Sequence, residues 1–221
     1  MALIGTTFFA GDSITVGLPP FVSVVGDKIT EAQVGRSVSQ IRDAVRSNTR
    51  LGDAKNMVVL GGTNDIGGGK SAADIFAILQ QVWAMGKEKG AKIIALTVPP
   101  AKGYSGFASN FESINAKRLV LNNLIKDSLI PDQVVDLDVL LGVQSEQDRL
   151  APNMDSGDHL HPRKDAMGAA LNTVFAKPFP QKNPGISPLQ VDNTSTIVIG
   201  SLGIGAAGYG LFRIGRWKGW F

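Results

Sequence analysis

A serine, a histidine and an aspartate are the residues of this chain whose types could do chemistry together. Ser13 lies in the run Gly11-Asp12-Ser13 after a short apolar segment, and Asp158 and His161 lie three positions apart far down the chain. A serine hydroxyl becomes a nucleophile when an imidazole takes its proton, and a carboxylate beside that imidazole fixes its tautomer. With only two histidines in the sequence, His161 is the candidate general base. These residue types predict nucleophilic serine catalysis.

The oxyanion formed in acyl transfer needs hydrogen-bond donors that are already in place. Three donors are candidates: the backbone N–H of Ser13, the backbone N–H of Gly35 and the side-chain amide of Asn64. Each of these residues follows the end of a predicted strand. Ligand sites in parallel sheets lie beyond the carboxyl ends of the strands. The sequence therefore predicts an oxyanion hole at one edge of the sheet.

The elements that must position these residues alternate between strands and helices. Apolar residues at helical spacing predict the helices, two of which are expected to begin at capping boxes, at Ser71 and at Ser109. Strands separated by such helices predict a parallel sheet covered on both faces, and hence a three-layer α/β/α domain. Short apolar runs bounded by Gly or Pro place the strands at residues 6–10, 29–34, 57–60, 93–98 and 134–137.

Three polar neighbours of the candidate residues have plainer interpretations. Asp12 is expected to shape the turn at Ser13, and Asp65 to be an ordinary turn residue. His159 is expected to be structural or to face the substrate, because a neighbour in sequence need not face the site. Two histidines two positions apart could suggest a metal, but no acidic or thiol cluster completes a ligand set, so no metal is expected.

Composition excludes several classes of function. The chain has no cysteine, which excludes disulfides, thiolate catalysis and cysteine zinc sites. The net charge of +3 arises within residues 213–221, which carry three basic residues and no acid, so the remainder sums to zero and no nucleic-acid partner is expected. A Gly-x-Gly-x-x-Gly run at residues 203–208 lies too near the C-terminus to begin a dinucleotide-binding unit, so no cofactor is expected.

Taken together, the motifs resemble those of the SGNH (GDSL-type) hydrolases. The first block of that family, Gly-Asp-Ser, matches the run ending at Ser13. The third block, Gly-x-Asn-Asp, matches residues 62–65, and the fifth, Asp-x-x-His-Pro, matches residues 158–162. Gly35 corresponds to the second-block glycine. The resemblance covers residues 5–176 and implies a flavodoxin-like sheet of five parallel strands, hydrolysis of esters or less often of thioesters and amides, and no metal or organic cofactor.

The C-terminal region departs from the pattern of that family. Residues 1–176 are expected to form the hydrolase domain, followed by a Pro-rich linker at residues 177–193. Residues 194–212 contain no charged side chain and are long enough to span a bilayer as a helix. Residues 213–221 combine Arg, Lys and Trp in the manner of an interfacial anchor. The alternative is a Gly-rich segment docked on the domain or in an oligomer interface, and small residues four apart favour close approach of helices.

Two functions and two locations remain open at this point. The first function is that of a membrane-anchored serine esterase acting on O-acetyl or short-chain esters of glycans or lipids. The second is that of a binding or assembly protein with the same fold and little turnover. An anchor without an export signal suits a tail-anchored protein, whose active site stays on the side of synthesis. It also suits a protein of a membrane-containing virus particle that meets the cell envelope from outside.

Overall fold

The computed structural model describes residues 2–178, apart from the side chain of Gln147. Within this part of the chain, no helix is both long and apolar enough to cross a membrane. Most of the predicted linker, the predicted span at residues 194–212 and the terminal segment at residues 213–221 lie outside the described residues.

Strands and helices alternate along the described residues largely as predicted. The strands are β1 Leu3–Ile4, β2 Thr7–Gly11, β3 Val24–Val25, β4 Lys28–Ala32, β5 Asn56–Val59, β6 Lys92–Leu96, β7 Gln133–Val135, β8 Gly142–Val143 and β9 Glu146–Leu150. The α-helices are α1 Val38–Ser47, α2 Thr63–Gly67, α3 Ala72–Glu88, α4 Phe111–Asp127, α5 Leu137–Leu141 and α6 Lys164–Phe175.

Five parallel strands form the central sheet in the order β4-β2-β5-β6-β7. Phe8 of β2 pairs with Ile29 of β4 on one side and with Met57 of β5 on the other. The first long strand thus lies between the second and the third, which is the flavodoxin-like order. The predicted five-stranded parallel sheet is confirmed. In this order the direction of winding reverses between β2 and β5, and ligands bind in the crevice beyond the carboxyl ends of the strands there.

The side chains of the strands alternate between two apolar cores. Phe8 and Met57 are fully buried in the core that includes residues of α1, α3 and α4. Their neighbours Phe9 and Val58 are buried in the core that includes residues of α5 and α6. Successive residues of a strand point to opposite faces, and both faces of this sheet are covered. The strands are therefore continuous apolar runs, and the predicted layers are present.

Of the two helix starts predicted from capping boxes, the structure contains one and lacks the other. Ser71 caps α3, because its hydroxyl accepts a hydrogen bond from the Asp74 N–H at 3.1 Å. The predicted capping box at Ser109 is wrong, since Ser109 lies inside a 3₁₀ helix, Ser105–Asn110, and α4 begins at Phe111 without a side-chain cap. An N-cap residue needs an extended backbone, which a residue already within a helical turn does not have.

The second strand of the central sheet ends earlier than predicted. Ala32 pairs with Gly11, the last residue of β2, so β4 has no partner strand beyond that position. The chain turns instead, with the Arg36 N–H donating to the Gln33 carbonyl at 3.4 Å. This turn places Gly35 in a loop at the carboxyl edge of the sheet.

Candidate active site

The predicted site residues lie where the winding of the sheet reverses. Ser13 follows β2 directly, in a turn whose Asp12 carbonyl accepts hydrogen bonds from the N–H groups of Thr15 and Val16. Asn64 lies in α2, which begins shortly after β5. Because β2 and β5 are adjacent parallel strands, the residues that follow them emerge side by side.

A continuous chain of hydrogen bonds joins the three candidate catalytic residues. The Oγ of Ser13 lies 2.8 Å from Nε2 of His161, although 148 positions separate them in the sequence. The other ring nitrogen of His161, Nδ1, lies 2.6 Å from Oδ2 of Asp158. The structure thus brings a hydroxyl, an imidazole and a carboxylate into the order that proton removal from a serine requires.

The carboxylate of Asp158 is held as an anion. Partial burial raises its pKa, but the His161 ring and the backbone N–H groups of His161 and Leu160 donate hydrogen bonds that lower the pKa further, so the net direction is downward. An ionised carboxylate only accepts hydrogen bonds. The Nδ1 of His161 therefore carries a proton, and Nε2 is the nitrogen that can accept the proton of the Ser13 hydroxyl whenever the ring is neutral.

The candidate oxyanion donors border the same edge of the sheet. Asn64 donates one amide hydrogen to the Arg36 carbonyl at 2.9 Å, which fixes the side chain and leaves its second hydrogen available. Gly35 has a φ of +77°, a conformation that suits glycine, and open space lies where a Cβ would project. Among residues 2–178, the backbone N–H groups of Ser13 and Gly35 have no hydrogen-bond partner.

Asp65 is a buried structural carboxylate, so the expectation of an ordinary turn residue is wrong. Only 4% of the surface of Asp65 is exposed to solvent. One carboxylate oxygen accepts from the Val38 N–H at 2.7 Å, and the other accepts from the Lys70 ammonium at 2.6 Å. Asp65 thereby ties α2 to the start of α1 and holds the loop that contains Gly35. Val38 lies 27 positions away from Asp65 in the sequence. Because the donor is a backbone N–H, which every residue except proline has, the sequence contains no signal for this contact.

Asp12 shapes the turn at the serine, as predicted. Its Oδ1 accepts from the Ile14 N–H at 3.0 Å, whereas its Oδ2 is buried and has no partner among the described residues. Burial raises the pKa of Asp12 to about 6, against the opposing effects of the Ile14 N–H and of the His161 and Lys164 charges. The turn thus contains a carboxyl group that titrates close to neutral pH.

Lys164 connects the two halves of the site, and the sequence contained no signal for this role. It is the first residue of α6 and follows His161 by three positions. Its ammonium donates to the carbonyls of Ser13 at 3.0 Å and Ile14 at 2.7 Å. Burial lowers the pKa of Lys164, while the charges of Asp12 and Asp158 act in the other direction. One side chain therefore fastens the serine turn to the segment that carries the histidine.

The second histidine belongs to a separate pair. Nδ1 of His159 lies 2.5 Å from Oδ2 of Asp155. The backbone of His159 has a φ of +64°, and its ring lies against Gly103, at which an added Cβ would approach the ring to 3.1 Å. Within the described part of the chain, no group of three or more His, Cys, Asp or Glu could hold a metal ion.

Solved structures of similar fold come from several bacteria. A GDSL-like lipase from Bacteroides thetaiotaomicron is 19% identical, with 78% of this chain and 88% of that chain covered and a TM-score of 0.61. A lipase/acylhydrolase from Enterococcus faecalis is 19% identical, with 77% and 94% covered and a TM-score of 0.57. A psychrotrophic esterase from a Pseudoalteromonas species is 12% identical, with 78% and 100% covered and a TM-score of 0.54. At these identities the likeness shows the fold alone.

Family membership rests on the sequence match. A model of the GDSL-like lipase/acylhydrolase family matches residues 9–169, which is most of the chain and includes the motifs at Ser13, at Asn64 and at His161. No curated protein matches this chain in sequence. The chain therefore belongs to the GDSL-like lipase/acylhydrolase family and is a serine hydrolase that acts on ester bonds.

Proposed function

We propose that this chain is a membrane-anchored esterase that removes short acyl groups from glycans, with Ser13 as nucleophile, His161 as general base and Asp158 as the residue that orients the base. The observation that carries the proposal is the hydrogen-bond chain from Ser13 Oγ through the His161 ring to the Asp158 carboxylate, at 2.8 and 2.6 Å. Both distances fall in the range that general-base catalysis requires.

The first half of the reaction transfers the acyl group to the enzyme. Ser13 Oγ forms a bond to the carbonyl carbon of the ester while its proton passes to Nε2 of His161. The carbonyl oxygen becomes an oxyanion, for which the Ser13 N–H, the Gly35 N–H and the second amide hydrogen of Asn64 are the donors. When the tetrahedral intermediate collapses, the carbon–oxygen bond to the alcohol breaks and His161 returns the proton to that alcohol.

The second half restores the enzyme with water. His161 Nε2 takes a proton from the water, whose oxygen attacks the acyl carbon attached to Ser13. Collapse of the second tetrahedral intermediate breaks the bond to Ser13 Oγ, which regains the proton from His161. The products are the free carboxylic acid and the unmodified serine, so the cycle consumes one ester and one water.

The loop beside Gly35 favours a glycan over a lipid as the alcohol. An open groove of about 310 Å³ runs between this loop and α1. Its lining is mostly polar and includes Gln33, Arg36, Gln40 and Asp43. Amide and charged side chains of this kind form hydrogen bonds with sugar hydroxyls, whereas an acyl chain of a lipid would displace water from them and offer no hydrogen bond in return. The groove therefore suits a hydroxyl-rich alcohol.

The membrane part of the proposal rests on the sequence of residues 194–221. An uncharged segment followed by basic and aromatic residues suits an anchor at a bilayer surface. We expect the full chain to sediment with membranes, and a chain ending at Gly185 to stay in the supernatant while keeping its esterase activity. Recovery of the full chain in the soluble fraction of its native source would contradict the anchor and leave the esterase proposal intact.

The test of the catalytic proposal is a fluorophosphonate probe, which forms a stable bond with an activated serine. The wild type is expected to be labelled and Ser13→Ala to remain unlabelled. Ser47→Ala, which removes an exposed serine of α1, is the matched control and should be labelled like the wild type. Labelling of Ser13→Ala, or none in a folded wild type, would refute the assignment.

The substrate class has its own assay. Acetate release from acetylated polysaccharide is compared with fatty-acid release from phospholipid vesicles. The proposal expects the first to be faster for equal concentrations of ester. Asn64→Ala should lower kcat on the preferred ester by about 10²–10³-fold, as for the loss of one oxyanion donor. Faster release from phospholipid would overturn the glycan assignment.

A further inference from the structure

The loop between β4 and α1, residues 33–37, governs two of the three candidate oxyanion donors. Gly35 belongs to the loop and offers its own backbone N–H. Asn64 lies outside the loop, but its amide donates to the Arg36 carbonyl at 2.9 Å, so that carbonyl sets the direction of the second amide hydrogen. A small shift of the loop would therefore displace both donors from the oxyanion.

The backbone of this loop has little support of its own. Gln33, Val34 and Gly35 are all exposed to solvent, so they are not anchored in either apolar core. The Gln33 N–H donates to the Gly11 carbonyl at 3.3 Å, and the Arg36 N–H donates to the Gln33 carbonyl at 3.4 Å. Both bonds are longer than ordinary N–H···O bonds. Donors that must be placed accurately on such a loop need support from a side chain.

The side chain of Arg36 supplies this support. Its Nη1 donates to Oε1 of the Glu31 carboxylate at 3.0 Å and to the Glu31 carbonyl at 3.2 Å. Glu31 pairs with Ala10 in the central sheet, one position before β4 ends at Ala32. Hydrogen bonds from a charged donor to a carboxylate are stronger than those between neutral groups. The guanidinium therefore ties the loop to a rigid strand.

The carboxylate of Glu31 is held from its other side as well. Asn48, which follows the last residue of α1, donates its side-chain amide to Glu31 Oε2 at 2.7 Å. The side chains of Arg36 and Glu31 are only 16% and 23% exposed. Ion pairs between freely solvated side chains are weakened by solvent screening and by rotamer freedom. The pair of Arg36 and Glu31 is partly protected from both effects, so it can hold the loop in one geometry.

Arg36 also lines the polar groove, so its positioning of the donors must be distinguished from a contact with the substrate. A contact with the alcohol is present in the bound substrate and in the transition state alike, so its loss raises KM. Placement of the oxyanion donors matters in the transition state alone, so its loss lowers kcat. The two roles of Arg36 therefore differ in the kinetic constant that they affect.

We propose that Arg36 is a positioning residue of the reaction, whose ion pair with Glu31 fixes the loop so that the Gly35 N–H and the Asn64 amide reach the oxyanion together. The inference rests on the proposed function and adds a residue outside the catalytic residues and the oxyanion hole. Because both halves of the reaction pass through an oxyanion, loss of the ion pair slows acylation and deacylation alike.

The test measures kcat and KM on p-nitrophenyl acetate. We expect Arg36→Met to lower kcat about 30-fold with KM within about threefold, a smaller loss than removal of one donor outright. Arg36→Lys keeps a donor for the Glu31 carboxylate and should recover part of the rate. Arg46→Met is the matched control, because it removes an exposed arginine from an ion pair with Asp43 at the far end of α1. It should keep the wild-type rate.

Two further measurements report on the oxyanion itself. Trifluoroacetone forms a tetrahedral adduct with an activated serine, and its oxyanion occupies the same donors as the transition state. Arg36→Met should therefore raise the inhibition constant of trifluoroacetone by about the factor by which it lowers kcat/KM. In the Asn64→Ala background, Arg36→Met should cost less than about fivefold, because one of the two donors that it positions is already absent.

A folded Arg36→Met with the kinetics of the Arg46→Met control would overturn the proposal. A rise in KM with kcat unchanged would also overturn it, as would an undiminished loss in the Asn64→Ala background. Circular dichroism establishes folding, and Glu31→Gln, which removes only the charge of the pair, replaces an Arg36→Met that does not fold. It should lower kcat about fivefold at unchanged KM. Failure of the wild type to cleave the ester would instead refute the proposed function.

Discussion

Two aspartate–histidine pairs lie side by side in the segment 155–161, and they differ in what the histidine reaches. Asp155 holds Nδ1 of His159 at 2.5 Å, and Asp158 holds Nδ1 of His161 at 2.6 Å. The other ring nitrogen of His161 meets the Ser13 hydroxyl, whereas the ring of His159 lies against the loop at Gly103. The same two residue types therefore form a proton-transfer chain in one case and a loop contact in the other.

The difference shows that pairing is local and that function needs a third partner. Asp155 also accepts hydrogen bonds from the backbone N–H groups of Gly157 and His159, so it shapes the loop that leads to His161. These bonds, together with that of the His159 ring, lower the pKa of Asp155 against the effect of partial burial. The first pair thus supports the loop, and the second pair faces the serine. Of the two roles expected for His159, structural or facing the substrate, its position in the loop favours the structural one.

The largest expected difference between the two pairs is in the loss of activity when each histidine is replaced by alanine. His161→Ala should lower kcat on p-nitrophenyl acetate by about 10⁴-fold, because the serine loses its base. His159→Ala is expected to stay within about threefold of the wild type, since its ring is outside the proposed proton path. Steady-state kinetics measure both. Equal losses in the two variants would abolish the distinction between the pairs.

Replacement of each carboxylate should give the second-largest contrast. Asp158→Asn is expected to lower kcat by about 10³-fold, because an amide no longer selects the ring tautomer with the proton on Nδ1. Asp155→Asn should cost less than about tenfold, through loosening of the loop alone. The two variants are compared at a pH where both are folded, as judged by circular dichroism. A larger loss in Asp155→Asn would mean that the wrong pair had been assigned to catalysis.

The pH dependence of stability is expected to have opposite signs at Asp12 and Asp155. Asp12 has a folded-state pKa of about 6, above its ordinary 3.8, so it destabilises the fold as pH rises through that interval, by up to about 3 kcal/mol. Asp12→Asn should therefore gain stability relative to the wild type between pH 4 and pH 7. The lowered pKa of Asp155 gives a contribution that is present above its unfolded pKa and is lost in acid.

Urea unfolding at pH 4 and pH 7 measures this contrast. Asp155→Asn serves as the opposite control, because its deficit relative to the wild type should be present at pH 7 and shrink towards acid. If the free-energy difference between Asp12→Asn and the wild type is the same at both pH values, the carboxyl of Asp12 is not held in the buried environment described here.

The smallest expected effect concerns the link between the serine turn and the His161 segment. Lys164→Met should lower kcat about tenfold with KM within about twofold, because the loss of its hydrogen bonds loosens the alignment of Ser13 with His161 and leaves the substrate groove intact. Lys164→Arg keeps a donor and should recover part of the rate. Lys89→Met, at an exposed position after α3, is the matched control. A rise in KM without a change in kcat would contradict a positioning role.

Local signals carried much of the prediction. Apolar runs ending at Gly or Pro marked the strands, and helical spacing between them indicated the parallel sheet that the structure contains. The motif at Ser13, the one at Asn64 and the one at His161 indicated the family, which the family match confirms. These features were readable because each depends on residues close together in the chain. The strand ends were less accurate, since a strand stops where its neighbour stops.

Other features were decided by tertiary structure alone. Lys164 donates to the carbonyls of Ser13 and Ile14, and Asp65 accepts from the Val38 N–H. Backbone groups are present in nearly every residue, so such contacts leave no signature in the sequence.

The sequence by itself determined the residue types at the edge of the sheet and the order of the elements that carry them. The motif named His161 as the candidate base, but only the folded chain decided that its ring meets the Ser13 hydroxyl while the ring of His159 lies against Gly103. The physical reason is that a hydrogen bond between positions 13 and 161 depends on how β2 and the loop before α6 are packed. Spacing along the chain does not encode that packing.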